Sequence, residues 1–244
     1  QGVTTITNAA REPEIADLQA FLRSMGADVR GAGSSMITIR GGLPLHGAEH
    51  TVMGDRIVAA TYLAAAAAAG GEIEVTGADC RHLSTVTAVL SQAGCRIHSD
   101  DNRISLARSG PLRGVSPVRT APYPGFPTDA QAPLMAALTT AAGTSVFVEN
   151  IFESRYRHVD ELSRMGASIR VEGRVAVVFG VERLKAAAVR AADLRGGAAL
   201  VVAALGAEGR STISGLHHVD RGYQDLDGAL RSLGADIVRL EEDE

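Results

Sequence analysis

Three observations predict a mixed α/β fold, an α+β arrangement of repeated βαβαββ units with the helices inside and the sheets outside. An apolar helix face running into Gly and then a small residue recurs at Gly26, Gly94, Gly166 and Gly234, in steps of 68, 72 and 68 residues. An Asp followed by an Ala-rich helical pattern recurs between these signals, at Asp55, Asp129 and Asp193. Short alternating or β-branched runs follow both kinds of helix and read as half-buried strands.

The chain opens on a strand at residues 4–7, followed by a helix whose apolar face is Ile15, Leu18, Phe21 and Leu22 and which ends at Gly26. Glycine just past a last helical turn accepts the left-handed conformation that closes a helix. Asp55 starts the first Ala-rich helix, which leads to a strand at 72–75; a second helix then closes on Gly94. Asp129 starts the next copy, leading to a strand at 145–148, a helix closing on Gly166 and a strand at 168–171. Asp193 starts the last, leading to a strand at 211–214, a helix closing on Gly234 and a strand at 236–239. Alanine presents a small side chain on every face, so these helices can pack closely inside a domain instead of lining its surface. Four Gly-ended halves stand against three Asp-led halves, and the unpaired half comes first. With Gln in place of Met at residue 1, the expectation is the C-terminal part of a longer protein.

Composition narrows the class. At 244 residues, 45% hydrophobic and 21% charged, the chain is globular and not disordered. No apolar run reaches the roughly 20 residues of a membrane span, and no basic leader precedes an apolar segment, so a cytoplasmic location is expected. The net charge is −4, and the arginines are scattered, which argues for a small ligand and against a nucleic-acid surface. Cys80 and Cys95 sit in no metal or disulfide spacing and are expected in the core. His82, His158, His217 and His218 show no ligand spacing, and no metal site is expected.

Four strings carry a resemblance: 8–14 (Asn-Ala-Ala-Arg-Glu-Pro-Glu), 119–132 around Phe126-Pro127-Thr128-Asp129-Ala130, 155–167 beginning Arg155-Tyr156-Arg157-His158, and 218–223 (His-Val-Asp-Arg-Gly-Tyr). On these strings the sequence resembles the enolpyruvyl transferases, over essentially its whole length, and within them the branch whose acceptor is UDP-N-acetylglucosamine. The resemblance implies two domains, each an inside-out α/β barrel of three repeats, with the substrates between them. Residues 1–50 would be the tail of the first domain and 51–244 the second. It implies transfer of the enolpyruvyl group from phosphoenolpyruvate to the sugar 3-hydroxyl, the first committed step of peptidoglycan synthesis, with no cofactor. A lysine and an arginine that contact phosphoenolpyruvate, and a loop with a proton-donating cysteine, would lie upstream. Neither cysteine here nor Lys185 matches them, so the chain alone is expected to be inactive and to need the preceding part of its own protein.

Asp129 is the foremost candidate for catalysis. As a carboxylate at a helix start it reads first as an N-cap, a role that Asp55 and Asp193 would share at the same repeat position. The resemblance adds the general base that takes the proton of the attacking hydroxyl. Arg221, as a catalytic residue, and Arg195 match arginines facing phosphoenolpyruvate, and the planar guanidinium suits a carboxylate or phosphate. Asp193 matches a residue near the interdomain cleft. Arg155 and the backbone of Ile151 match a stretch beside the nucleotide sugar, and Glu12 is a further substrate-binding candidate beside its alternative as an ordinary helix-start acid. Two rivals stay open: an acceptor such as shikimate 3-phosphate, and a non-catalytic binding module made from half of the fold. The apolar face of the first helix lacks a partner, so residues 1–50 are expected to fray or to promote self-association.

Overall fold

In the computed structural model, which describes residues 1–240, the repeat is visible element by element. The first unit is β1 (Gly2–Thr7), α1 (Pro13–Ser24), β2 (Asp28–Arg30) and β3 (Met36–Gly41). The second is α2 (Arg56–Ala69), β4 (Gly71–Thr76), α3 (Ser84–Gln92), β5 (Arg96–Asp100) and β6 (Arg103–Arg108). A short β7 (Val118–Arg119) precedes α4 (Thr128–Ala137), β8 (Thr144–Val148), α5 (Val159–Arg164), β9 (Ser168–Glu172) and β10 (Val175–Phe179). The last unit is β11 (Ala188–Arg190), α6 (Leu194–Leu205), β12 (Thr212–Ser214), α7 (His217–Asp220) and α8 (Leu226–Ser232).

Each unit builds its own sheet, in the orders β1-β3-β2, β4-β6-β5, β7-β8-β10-β9 and β11-β12. The ladders are antiparallel except β7 with β8 and β11 with β12. All four helix-closing glycines adopt the left-handed backbone, Gly26 at φ +95°, Gly94 at +104°, Gly166 at +92° and Gly234 at +97°. The expected strand at 236–239 is absent: among the described residues no strand follows Gly234. A lone segment has no ladder to satisfy its backbone, and here Arg239 is held instead by ion pairs to Asp220 and Asp227.

The Ala-rich helices form the interior. Ala60, Leu63, Ala64 and Ala67 of α2, Ala130 and Leu134 of α4, and Ala198 and Ala199 of α6 are fully enclosed, and α2, α4 and α6 pack against one another. Small side chains let the three backbones come close, and the leucines and methionines fill what is left. Cys95 joins this core, whereas Cys80 lies half-buried at its margin. The first unit is different. All of β1 is exposed, Leu18 of α1 is 51% exposed, and buried hydrophobics are reduced to Val29 and Ile37. No helix among the described residues is long and apolar enough to cross a membrane.

Candidate active site

The three buried helices begin at one end of the molecule, where a cleft of about 1160 Å³ opens. Arg56 and Ile57 from the first turn of α2, Thr128 and Asp129 from that of α4 and Arg195 from that of α6 line one wall. The opposite wall is the segment 8–14, one face of α1 and the connection 50–55. Backbone dipoles give each helix start a partial positive charge, which favours a negative group there. The loop leading into α4 is pinned by a close approach at Gly125. Its N–H donates to the Pro122 carbonyl at 2.8 Å, and a side-chain carbon there would lie 2.5 Å from Cβ of Ala121.

Asp129 lines the cleft, and it is not a cap. Pro127 occupies the position before the first turn of α4, and Asp129 is the second helical residue. Asp55 and Asp193 do cap: Asp55 accepts from the N–H groups of Ile57 and Val58 at 2.7 and 3.1 Å, and Asp193 from that of Gly196 at 2.8 Å. The expected common register therefore fails at α4. Pro127 has no N–H to satisfy and a fixed φ, here −70°, so it lets the helix begin two residues before the position the repeat suggested. The Asp129 carboxylate turns outward instead. Arg155 donates through Nη2 to Oδ1, and Nε and Nη2 of Arg195 both lie 3.2 Å from Oδ2.

Arg195 is held from behind, whereas Arg155 does not itself line the cleft. Nη1 of Arg195 donates to the Tyr223 hydroxyl at 3.2 Å. That hydroxyl donates to Oγ1 of Thr61 at 2.8 Å, and Thr61 donates to the carbonyl of Ile57 at 2.9 Å, which ties Arg195 to α2. Burial works to lower the pKa of Arg195, but Tyr223 and Asp129 outweigh it and leave the guanidinium above its ordinary value. Arg155 lies over the ring of Phe152, 4.9 Å from its centre. A few residues on, His158 is buried, its Nε2 has no partner among the described residues, and burial pushes its pKa down to about 4.

Other candidates divide. Glu12 lines the cleft; its Oε1 accepts from the Tyr123 N–H at 3.3 Å, while Oε2 is enclosed without a partner among the described residues. Ile151 also lines the cleft. Asp193 and Arg221 do not. Asp193 spends its carboxylate on its own helix, and Arg221 is exposed at the end of α7. Sequence reasoning missed Arg56, whose guanidinium pairs with Glu14 at 2.8 Å and lies 5.7 Å from the centre of the Tyr123 ring. It also missed Thr61, for which a polar residue on a helix gives no distinguishing signal. Among the described residues no three His, Cys, Asp or Glu side chains gather as a metal's ligands would.

Comparison with known proteins places this geometry in a family. The family model for EPSP synthase (3-phosphoshikimate 1-carboxyvinyltransferase) matches residues 1–242. UDP-N-acetylglucosamine 1-carboxyvinyltransferase 2 of Caldanaerobacter subterraneus subsp. tengcongensis is 50% identical over 239 residues, 98% of this chain and 57% of its own length. UDP-N-acetylglucosamine 1-carboxyvinyltransferase 1 of Symbiobacterium thermophilum is 52% identical over 241 residues, 98% of this chain and 54% of its own. The chain thus spans little more than half the length of the relatives it matches. Among solved structures, the enolpyruvyl transferase NikO from Streptomyces tendae superposes with a TM-score of 0.85 at 30% identity, over 97% of this chain and 56% of that one. EPSP synthase from Acinetobacter baumannii, at 21% identity and a TM-score of 0.75 over 99% of this chain and 58% of that one, shares the fold. From residue 1 to residue 242, the chain belongs to the EPSP synthase family of enolpyruvyl transferases.

Proposed function

We propose that this chain is the C-terminal part of an enzyme that transfers the enolpyruvyl group of phosphoenolpyruvate to the 3-hydroxyl of UDP-N-acetylglucosamine, the first committed step of peptidoglycan synthesis in the cytoplasm. The observation that carries the reading is Asp129, a carboxylate at the meeting point of three helix starts, held between Arg155 and Arg195 on an open cleft. Relatives about 50% identical are named for that acceptor, which favours it over shikimate 3-phosphate. In this reading residues 1–50 end a first domain, 51–244 form a second, and each completed domain is an inside-out barrel around its buried helices.

The chemistry is an addition followed by an elimination. The acceptor hydroxyl displaces one guanidinium from Asp129, which takes its proton while the oxygen attacks C2 of phosphoenolpyruvate and C3 gains a proton from a donor upstream of this chain. Loss of a C3 proton then expels phosphate and restores the enol ether, without a cofactor. Arg195, freed from Asp129, is placed to meet the phosphate or carboxylate, and Arg221 joins it once the two domains close on the substrates. Ile151, Arg155 and Glu12 face the acceptor. Asp193 acts through the start of α6.

Phosphate release by the full-length protein, with phosphoenolpyruvate and either UDP-N-acetylglucosamine or shikimate 3-phosphate, tests the reading. Turnover with the nucleotide sugar alone is expected; turnover with shikimate 3-phosphate alone selects the rival acceptor, and none with either leaves a binding module. The 244-residue chain by itself is expected to release no phosphate above background.

A further inference from the structure

Directly beneath the cleft, and lining none of it, lies Glu149, 1% exposed and one residue past β8. A carboxylate enclosed this completely needs its oxygens satisfied. Oε1 accepts from the Thr120 hydroxyl at 2.9 Å and from the N–H groups of Ile151 and Phe152 at 2.8 and 3.0 Å. Oε2 accepts from the Thr128 hydroxyl at 2.9 Å. Thr120 in turn accepts from the Asn150 N–H at 2.8 Å, so the carboxylate joins the end of β7, the loop after β8 and the first residue of α4.

Two consequences follow for groups that face the cleft. Thr128 immediately precedes Asp129, so its tie to Glu149 fixes the turn of helix from which the Asp129 carboxylate projects. Meanwhile the amide of Phe152 points inward at Glu149, and in a planar trans peptide the carbonyl of Ile151 then points the opposite way. Ile151 lines the cleft, and the proposed function sets it against the acceptor, so this orientation turns its carbonyl away from Glu149 to where it can accept from a ligand's N–H or O–H.

We propose that Glu149 is a positioning residue for the acceptor substrate: one buried carboxylate sets both the base, Asp129, and the backbone acceptor, Ile151. This rests on the proposed function only in assigning those two groups to the acceptor; whichever acceptor the wild-type protein turns over serves for the test. In the full-length protein Glu149→Ala is expected to raise KM for the acceptor and lower kcat, each roughly tenfold, with KM for phosphoenolpyruvate within about twofold of wild type. Glu149→Gln is expected to restore most of both, since its amide oxygen accepts from the two N–H groups and its NH2 donates to Thr128. Thr128→Val, which removes only the helix-side tie, is expected to lower kcat severalfold with little change in KM.

A folded Glu149→Ala enzyme with acceptor KM and kcat within twofold of wild type overturns the proposal. So does an equal rise in KM for phosphoenolpyruvate, which would mark a general loosening of the fold. Where Glu149→Ala does not fold, Thr128→Val decides, and an unchanged kcat overturns it. Failure of the functional reading is separate, because it shows in the acceptor used by the wild-type protein and not in the ratio of variant to wild type.

Discussion

The starts of α2 and α6 and the start of α4 descend from the same place in the repeat and do different work. At α2 and α6 the aspartate folds back on its own helix, satisfying backbone N–H groups that would otherwise lack partners. At α4 a proline takes the preceding position, the helix begins earlier, and the aspartate faces outward to two arginines. A carboxylate spent on a cap is not available to a ligand; one displaced into the first turn still benefits from the helix start while its oxygens face the cleft. The difference lies in two residues of backbone register, and it separates structural aspartates from the candidate catalytic one.

The packed interior is what holds the three starts together, and breaking it should have the largest effect on stability. Leu63, fully enclosed in α2, is expected to cost about 2–5 kcal/mol on Leu63→Ala, measured by denaturant unfolding. A loss below 1 kcal/mol would mean that the interior helices are not a shared frame.

His158 lies beside Asp193 and within the stretch that carries Arg155, so it joins the two kinds of start. Burial holds it neutral in the fold down to about pH 4, while the unfolded chain takes its proton near the ordinary value of 6.5. The unfolded state therefore binds more protons in that window, and stability falls as pH drops from about 6.5 to about 4, by up to about 3 kcal/mol. Unfolding free energies at pH 7 and pH 4.5 should differ less in His158→Gln than in wild type; an equal difference would assign the acid sensitivity elsewhere.

The two caps should each cost about 1 kcal/mol on substitution by Ala, whereas Asp129→Asn should change unfolding by less than that, since among the described residues no backbone N–H of α4 depends on a side-chain cap. If Asp129→Asn instead destabilises like the cap variants, the distinction between the starts is lost. Smallest of all, Leu18→Ala on the open face of α1 should shift stability by about 0.5 kcal/mol or less, in contrast to Leu63. Hydrogen exchange on the same chain should show residues 1–50 opening before 120–240.

Much of this was legible in the sequence because it rests on local chemistry. The Gly26, Gly94, Gly166 and Gly234 signals needed only the left-handed backbone that glycine favours, and the Ala-rich runs announced close-packed interior helices. The strand expected at 236–239 failed because a strand depends on a neighbour that sequence pattern does not supply. At Asp129 the spacing of the repeat pointed to a cap, and the proline two residues earlier carried the contrary signal. Glu149 was illegible: its role comes from Thr120, Thr128 and two backbone amides that only the fold brings to one point.

Turnover of Asp129→Asn and Asp193→Asn in the full-length protein tests the central distinction most directly. Asn caps a helix about as well as Asp, so Asp193→Asn is expected to stay within a few-fold of wild-type kcat, whereas Asp129→Asn, folded and able to bind the acceptor, is expected to lose roughly 10²-fold or more. Near wild-type turnover in a folded Asp129→Asn enzyme, or equal losses in the two variants, would contradict the assignment of the base to the start of α4.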